Sequence, residues 1–425
     1  MKRLFVNIGK LVQVEHGEPV ARRVGKEMSV LNVLEDAYLA VDGEKISDFG
    51  AMETLKALSS NGIEYWLENQ ADEIVDLGGA TILPAFCDSH THLVYAGSRE
   101  REFIDKVRGL SYQEIAKRGG GILNSAQLLH ETSEEELFTQ SAERAREIIS
   151  HGTAAVEIKS GYGLNPEDEI KMLKVAKRIG AETPLTVKTT FLGAHAVPAR
   201  YAGRREEYVN EIINEMIPVI ATEELADFID VFTEDGFFTV EDTDRILNAG
   251  EKYGLRAKVH ANQMSFSGGV QVGVKYNAIS VDHLEFTGDA EFALLKDSET
   301  MATLLPGSTF FLEMEYANAR KMIDRGMSVA LATNYNPGSS PYGDMRFIMA
   351  LAALKYKMTT EEILNAVTIN GAYAMGLSEN HGSIARGKRA DFIVTKGLPS
   401  LDFIPYTFTS SLVEQIWIGG VKISE

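Results

Sequence analysis

The stretch TILPAFCDSHTH, residues 81–92, decides the fold. Its apolar start predicts a buried strand, TILPAFCD, and a polar run follows it at once. In an extended chain residues i and i+2 face the same side. His90 and His92 therefore aim both imidazoles into one space at the strand's C-terminal end. Seven more stretches share this grammar of an apolar strand running into a polar loop. They are TAAVEIKSG from residue 153, PLTVKTTFLGAH from 184, DFIDVFTEDG from 227, RAKVHANQ from 256, AISVDHLEF from 278, MATLLPGS from 301 and VALATNYNPG from 329.

Amphipathic helices are expected between these strands. Phe138, Ala142, Ala145 and Ile149 fall on one helical face, as do Val209, Ile212, Ile213 and Met216. Ser133 with Glu136 has capping-box spacing, Asn165-Pro166 offers an N-cap and a first-turn proline, and Gly152, Gly180, Gly254 and Gly326 are expected to end helices. Eight strand–helix units predict an α/β fold, a (β/α)8 barrel over residues 81–380. The two ends have another texture. Short alternating segments such as LFVNIGKLVQV and AYLAVDGEKISDFG, and later GSIARGKRADFIV and VEQIWIGGVKI, predict a small β-sandwich built from residues 1–80 and 381–425.

Composition narrows the function. A 425-residue chain with 44% hydrophobic content supports a large core, and its net charge of -19 repels nucleic acid and anionic membranes. Cys87 is the only cysteine, so an intramolecular disulfide is excluded. No signal peptide or spanning helix is legible, and a cytoplasmic location is expected.

Five of the nine histidines, His90, His92, His195, His260 and His283, fall at predicted strand ends. In a parallel barrel these ends share one face, which is where such folds keep their chemistry. Three neutral imidazoles with an open position for water describe a hydrolytic metal site. Cys87 points away from Asp88 in a strand and is expected to pack. Arg99 and Tyr162 follow the first and second strands on the histidine face. An arginine there, in so acidic a protein, suggests a carboxylate on the ligand. Gly119-Gly120-Gly121 lacks a following Gly-Lys-Ser/Thr, so it is a close-approach loop and not a phosphate cradle.

Taken together, His90-x-His92, GGGI at 119–122, KSGYGL at 159–164, FLGAHA at 191–196, His260-Ala261, DHLE at 282–285, NPGS at 336–339 and ADFIV at 390–394 resemble the imidazolonepropionase family of the amidohydrolase superfamily. The resemblance spans nearly the whole chain. It implies one zinc or iron ion, hydrolysis of the ring C–N bond of 4-imidazolone-5-propanoate to N-formimino-L-glutamate in histidine degradation, and a homodimer. It implies His90, His92 and His260 as metal ligands, with Arg99 on the propanoate, Tyr162 and His195 on the substrate, and Asn336, Gly338 and Ser339 lining the pocket. His283 would sit near the attacking water, and Gln263 stands where some members carry Glu.

Asn334 departs from the pattern, because the family motif has Asp there as metal ligand and proton acceptor. An amide ligates through its carbonyl oxygen but is no general base near neutral pH. With Gln263 also neutral, His283 is the evident base. The sequence leaves open a working enzyme using His283, an impaired one, a non-catalytic homologue that keeps the metal and ligand pocket, and a related deaminase acting on another small heterocycle.

Overall fold

The computed structural model describes residues 1–17, 20–57, 71–110 and 120–423. Eight parallel strands run in sequence order: Phe86–Thr91, Thr153–Lys159, Thr186–Ala194, Phe228–Thr233, Arg256–Ala261, Ser280–His283, Met301–Leu304 and Val329–Leu331. The segment after the eighth strand closes the ring on the first. Thr91 pairs in parallel with Tyr335, Asn334 N–H donates to the His90 carbonyl at 3.0 Å, and His92 N–H donates to the Tyr335 carbonyl at 2.9 Å. Closure therefore brings Asn334 beside the His-x-His segment. The architecture is the expected (β/α)8 barrel.

The first predicted strand divides in two. Thr81–Pro84 runs in the terminal sheet, antiparallel to Phe392–Thr395, and the barrel strand begins at Phe86. The switch is visible in the donors, since Ala85 N–H goes to the Asp391 carbonyl and Phe86 N–H to the Gly152 carbonyl. Pro84, with no N–H to give, falls at the transfer point. Among the described residues that terminal sheet has eight strands drawn from both chain ends, and a separate ribbon pairs Val14–Glu15 with Ile384–Ala385. The Asp42-Gly43 turn joins Val33–Asp42 to Lys45–Ala51, with Gly43 at a φ of 60°.

Most helix signals held, and two were altered by packing. Ser133 accepts from Glu136 N–H ahead of Glu134–Ser150, and Asn165 caps Pro166–Glu182. Gly180, expected as a stop, lies inside that second helix. A Cβ there would meet the Val187 side chain at 3.1 Å, so this glycine serves close helix–strand approach. The helix predicted around Val209 contains a π-turn, Ile212–Met216, before Ile217–Thr222. Pro218 supplies no N–H to the preceding turn, which accounts for the widened hydrogen bonding. Within MATLLPGS only Met301–Leu304 is strand, and Pro306 opens a short helix, Pro306–Phe311. No helix among the described residues is long and apolar enough to cross a membrane.

Candidate active site

Strand alternation places the chemistry. Asp88 and His90, Glu157 and Lys159, Lys258 and His260, and Ser280 and Asp282 are i, i+2 pairs on the barrel strands, and all are buried. His90 Nδ1 meets Asp282 Oδ2 at 2.6 Å, and His260 Nδ1 meets Asp230 Oδ2 at 2.9 Å. Each carboxylate accepts the Nδ1 proton, so Nε2 of both rings carries its lone pair toward the barrel mouth. His260 Nε2 lies 3.4 Å from His92 Nε2, and His90 Nε2 is buried with no hydrogen-bond partner among the described residues. Two triads gather here, His90 with His260 and His283, and His92 with His195 and His260. Within each, the ligand nitrogens lie within 4.8 Å of one another; His260 belongs to both, and the expected set of His90, His92 and His260 is divided between them. Converging nitrogen lone pairs are the donor set of a borderline-soft cation, so the residues present fit a metal ion.

Burial holds the imidazoles neutral. His90 and His92 lie well below the ordinary imidazole range, first because they are out of water and then because Lys159 or neighbouring rings oppose further positive charge. His195 is brought down to about 3 mainly by burial, and His260 is lowered by burial against the pull of Asp230. Neutral rings are ligand-competent at pH 7. The same fact sets a pH dependence. Below the ordinary value of 6.5 the unfolded chain takes up protons that these folded histidines refuse. Stability of the metal-free protein is therefore expected to fall as pH drops from 7 to 5.5, by up to about 1.4 kcal/mol per pH unit for each such histidine. Urea midpoints at the two values check this, and equal midpoints would contradict it.

Under the imidazoles lies a charge network that the motifs did not announce. Lys159 Nζ touches Glu157 Oε1 at 2.7 Å and Asp230 Oδ2 at 2.8 Å, with Asp282 Oδ2 at 3.7 Å. Lys258 Nζ donates to Glu157 Oε2 at 2.6 Å and to the Ser89 carbonyl at 3.0 Å. Asp88 binds Thr333 through both backbone N–H and hydroxyl, tying the first strand to the end of the eighth. Burial lifts its carboxyl to about 7 against those two hydrogen bonds.

Above the imidazoles opens a cavity of about 360 Å³. It brings together His92, His195, His260, His283, Arg99, Tyr162, Gln263, Asn334, Asn336, Gly338 and Ser339, while His90 sits behind His260. His283 has a φ of 88° and Leu284 one of 71°, a strained pair held by Leu284 N–H on the Ala261 carbonyl. His195 Nδ1 donates to the Gly161 carbonyl at 3.0 Å, which leaves Nε2 as its acceptor. The Asn334 side chain is buried, its Oδ1 accepting from Asn336 Nδ2 at 3.1 Å. Asn336 spends its amide within its own loop, accepting from Gly338 and Ser339 N–H at 2.8 Å each. Cys87 packs against Ala155, Ala372 and Met375, outside the cavity lining.

Arg99 is already partnered. Its Nε and Nη2 donate to Glu102 Oε2 at 2.9 and 2.6 Å, and Gly121 N–H donates to Glu102 Oε1, which gives part of the glycine run a role. Gly119 lies outside the described residues. A Cβ at Gly338 would come within 2.1 Å of Arg99 Nη1. Gly338→Ala is therefore expected to displace the guanidinium and raise KM about tenfold for an anionic ligand, while shifting unfolding stability by less than about 1 kcal/mol. Steady-state kinetics beside urea unfolding separates the two effects. Sequence reading also missed Lys106, the second cation of the lining, and the apolar wall of Phe232, Phe237, Leu312 and Met314.

Residues 81–422 match the model of the amidohydrolase family. Over 420 residues, 99% of each chain, the protein is 50% identical to the imidazolonepropionase of Flavobacterium johnsoniae. Its fold is similar to that of a triazine hydrolase variant, with a TM-score of 0.77 at 15% identity over 100% of this chain and 95% of that one. It is also similar to an adenosine deaminase from Xanthomonas campestris with bound zinc, with a TM-score of 0.69 at 16% identity over 99% and 92% of the two chains. With barrel, histidine cluster and near full-length identity in agreement, the chain belongs to the amidohydrolase family and, within it, to the imidazolonepropionases.

Proposed function

We propose that the protein hydrolyses the ring C–N bond of 4-imidazolone-5-propanoate, giving N-formimino-L-glutamate in histidine degradation. The observation that carries this reading is one cavity in which buried imidazoles face two cations, Arg99 and Lys106, with no carboxylate in the lining among the described residues. His90, His92 and His260, with the Asn334 carbonyl oxygen, would hold the metal ion, zinc or iron. When bound, the ion supplies Lewis-acid activation of the attacking water and the ring carbonyl.

The remaining steps belong to the side chains. Arg99 fixes the propanoate, Tyr162 and His195 flank the ring, and the loop of Asn336, Gly338 and Ser339 closes the pocket behind it. The Asn334 amide orients the water. His283 takes the water proton and returns it to the ring nitrogen as the C–N bond breaks, so that one water is consumed and no other reactant is needed. Gln263 offers a neutral hydrogen bond from the cavity wall. A cytoplasmic homodimer accompanies this reading.

The test is loss of the substrate's ultraviolet absorbance with freshly generated imidazolone propanoate, metal content being measured on the same sample. Neutral nucleobases are run beside it. Turnover of the imidazolone alone supports the assignment, and deamination of a nucleobase without it would overturn the assignment. Asn334 favours a second account, in which the site binds its substrate and turns it over slowly.

A further inference from the structure

We propose that Lys106 is a second carboxylate-binding cation of the cavity, acting beside Arg99 to select ligands with an anionic side chain. The inference rests on the substrate class proposed above. Lys106 follows Glu102 by one turn on the helix Glu100–Val107 and lines the same cavity as Arg99. The Arg99 fork is partly committed, with Nε and Nη2 both given to Glu102. That leaves Nη1, the edge turned toward Gly338, for a ligand. Charge follows the same count. Arg99 and Glu102 cancel, so among the described lining residues the uncancelled positive charge is that of Lys106.

Among the described residues no carboxylate lies within ion-pair distance of Lys106, and its Nζ stands 5.5 Å from the centroid of the Phe311 ring. Such a seat holds the ammonium loosely and leaves its donors for an incoming oxygen. Burial, and then the charge of Arg99, hold the Lys106 ammonium below the ordinary lysine range. An arriving carboxylate offsets both. In a chain of net charge -19, an anionic ligand needs such a local reversal of the field.

The test uses the full-length, metal-loaded protein with Lys106→Met and Lys106→Arg. Imidazole-4-propanoate and its primary amide are titrated by calorimetry. These probes differ in charge and need no turnover. The expected result is that the Met variant binds the acid about tenfold more weakly and the amide as before, and that the Arg variant restores acid binding. In turnover, the Met variant is expected to show its loss chiefly in KM. Unchanged acid binding in the Met variant would overturn the inference, as would an equal loss for acid and amide, which marks a packing role. A wild-type protein that binds neither probe overturns it too. If the wild type binds the acid selectively but leaves the imidazolone intact, the proposed reaction fails while the role of Lys106 stands.

Discussion

Asn334→Asp is expected to raise kcat for imidazolone propanoate by about 10²- to 10⁴-fold, the range a positioned general base contributes. The position is prepared for a carboxylate. Asn334 has a φ of 54°, a region that Asn and Asp both tolerate, so the exchange costs little backbone strain. Its Oδ1 already accepts from Asn336 Nδ2, and an Asp oxygen accepts the same bond. Barrel closure keeps the residue beside His90 through the Asn334 N–H bond to the His90 carbonyl. The new charge would stand among neutral imidazoles, where it also strengthens attraction for a cation. Rates are compared at equal metal content. Equal kcat in both forms would mean that His283 alone serves as base and that the eighth-strand carboxylate is dispensable here.

Why the sequence disclosed the imidazoles and concealed their supports follows from the range of the signals. His90 and His92 are two residues apart, and each other site histidine ends a strand legible from its apolar run. Local patterning was enough to place them. Asp230 and Asp282 looked like single charges in apolar strands. Their partners lie far off in the chain, with Asp282 192 residues from His90, and only barrel order makes them neighbours. A parity rule reaches only Asp88 and Lys258, two positions from His90 and His260, because Asp230 and Asp282 stand two positions from no site histidine. The break at Ala85 was hidden for another reason. Pro84 signals an interruption but not a change of sheet, which is fixed by partners contributed from Gly152 and Asp391. Lys106 was hidden because a lysine on a short, charged helix reads as solvated, and the cavity wall reached it only through tertiary packing.

Lys159→Met is expected to destabilise the protein by about 3–5 kcal/mol, the cost of leaving buried carboxylates without their counter-ion. Lys159 is fully buried and contacts Glu157 and Asp230, with Asp282 just beyond. Removing it leaves Lys258, which pairs with Glu157 at 2.6 Å and stands 3.9 Å from Asp282, as the remaining lysine of the network. Burial alone would lower the Lys159 ammonium, but Asp230, Glu157 and Asp282 together lift it above the ordinary lysine value of 10.5. A raised lysine contributes stability that is fully present below 10.5 and is lost only as pH rises through the folded value. Asp230, held well below 3.8 by His260 and Lys159 against its burial, contributes above 3.8 and loses that only in acid. Both contributions are therefore in force at neutral pH, and the deficit of the variant should be flat from pH 6 to 8. The network also orients the Nδ1 acceptors of His90 and His260, so metal affinity should fall about 10- to 100-fold. Urea unfolding gives the first quantity and competition with a chromophoric chelator the second. Adding Asp230→Asn to the variant removes the carboxylate whose lysine partner is gone and should recover part of the stability. A Met variant within about 1 kcal/mol of the parent would show that the buried carboxylates take up protons instead, and that Lys159 is not what keeps them charged.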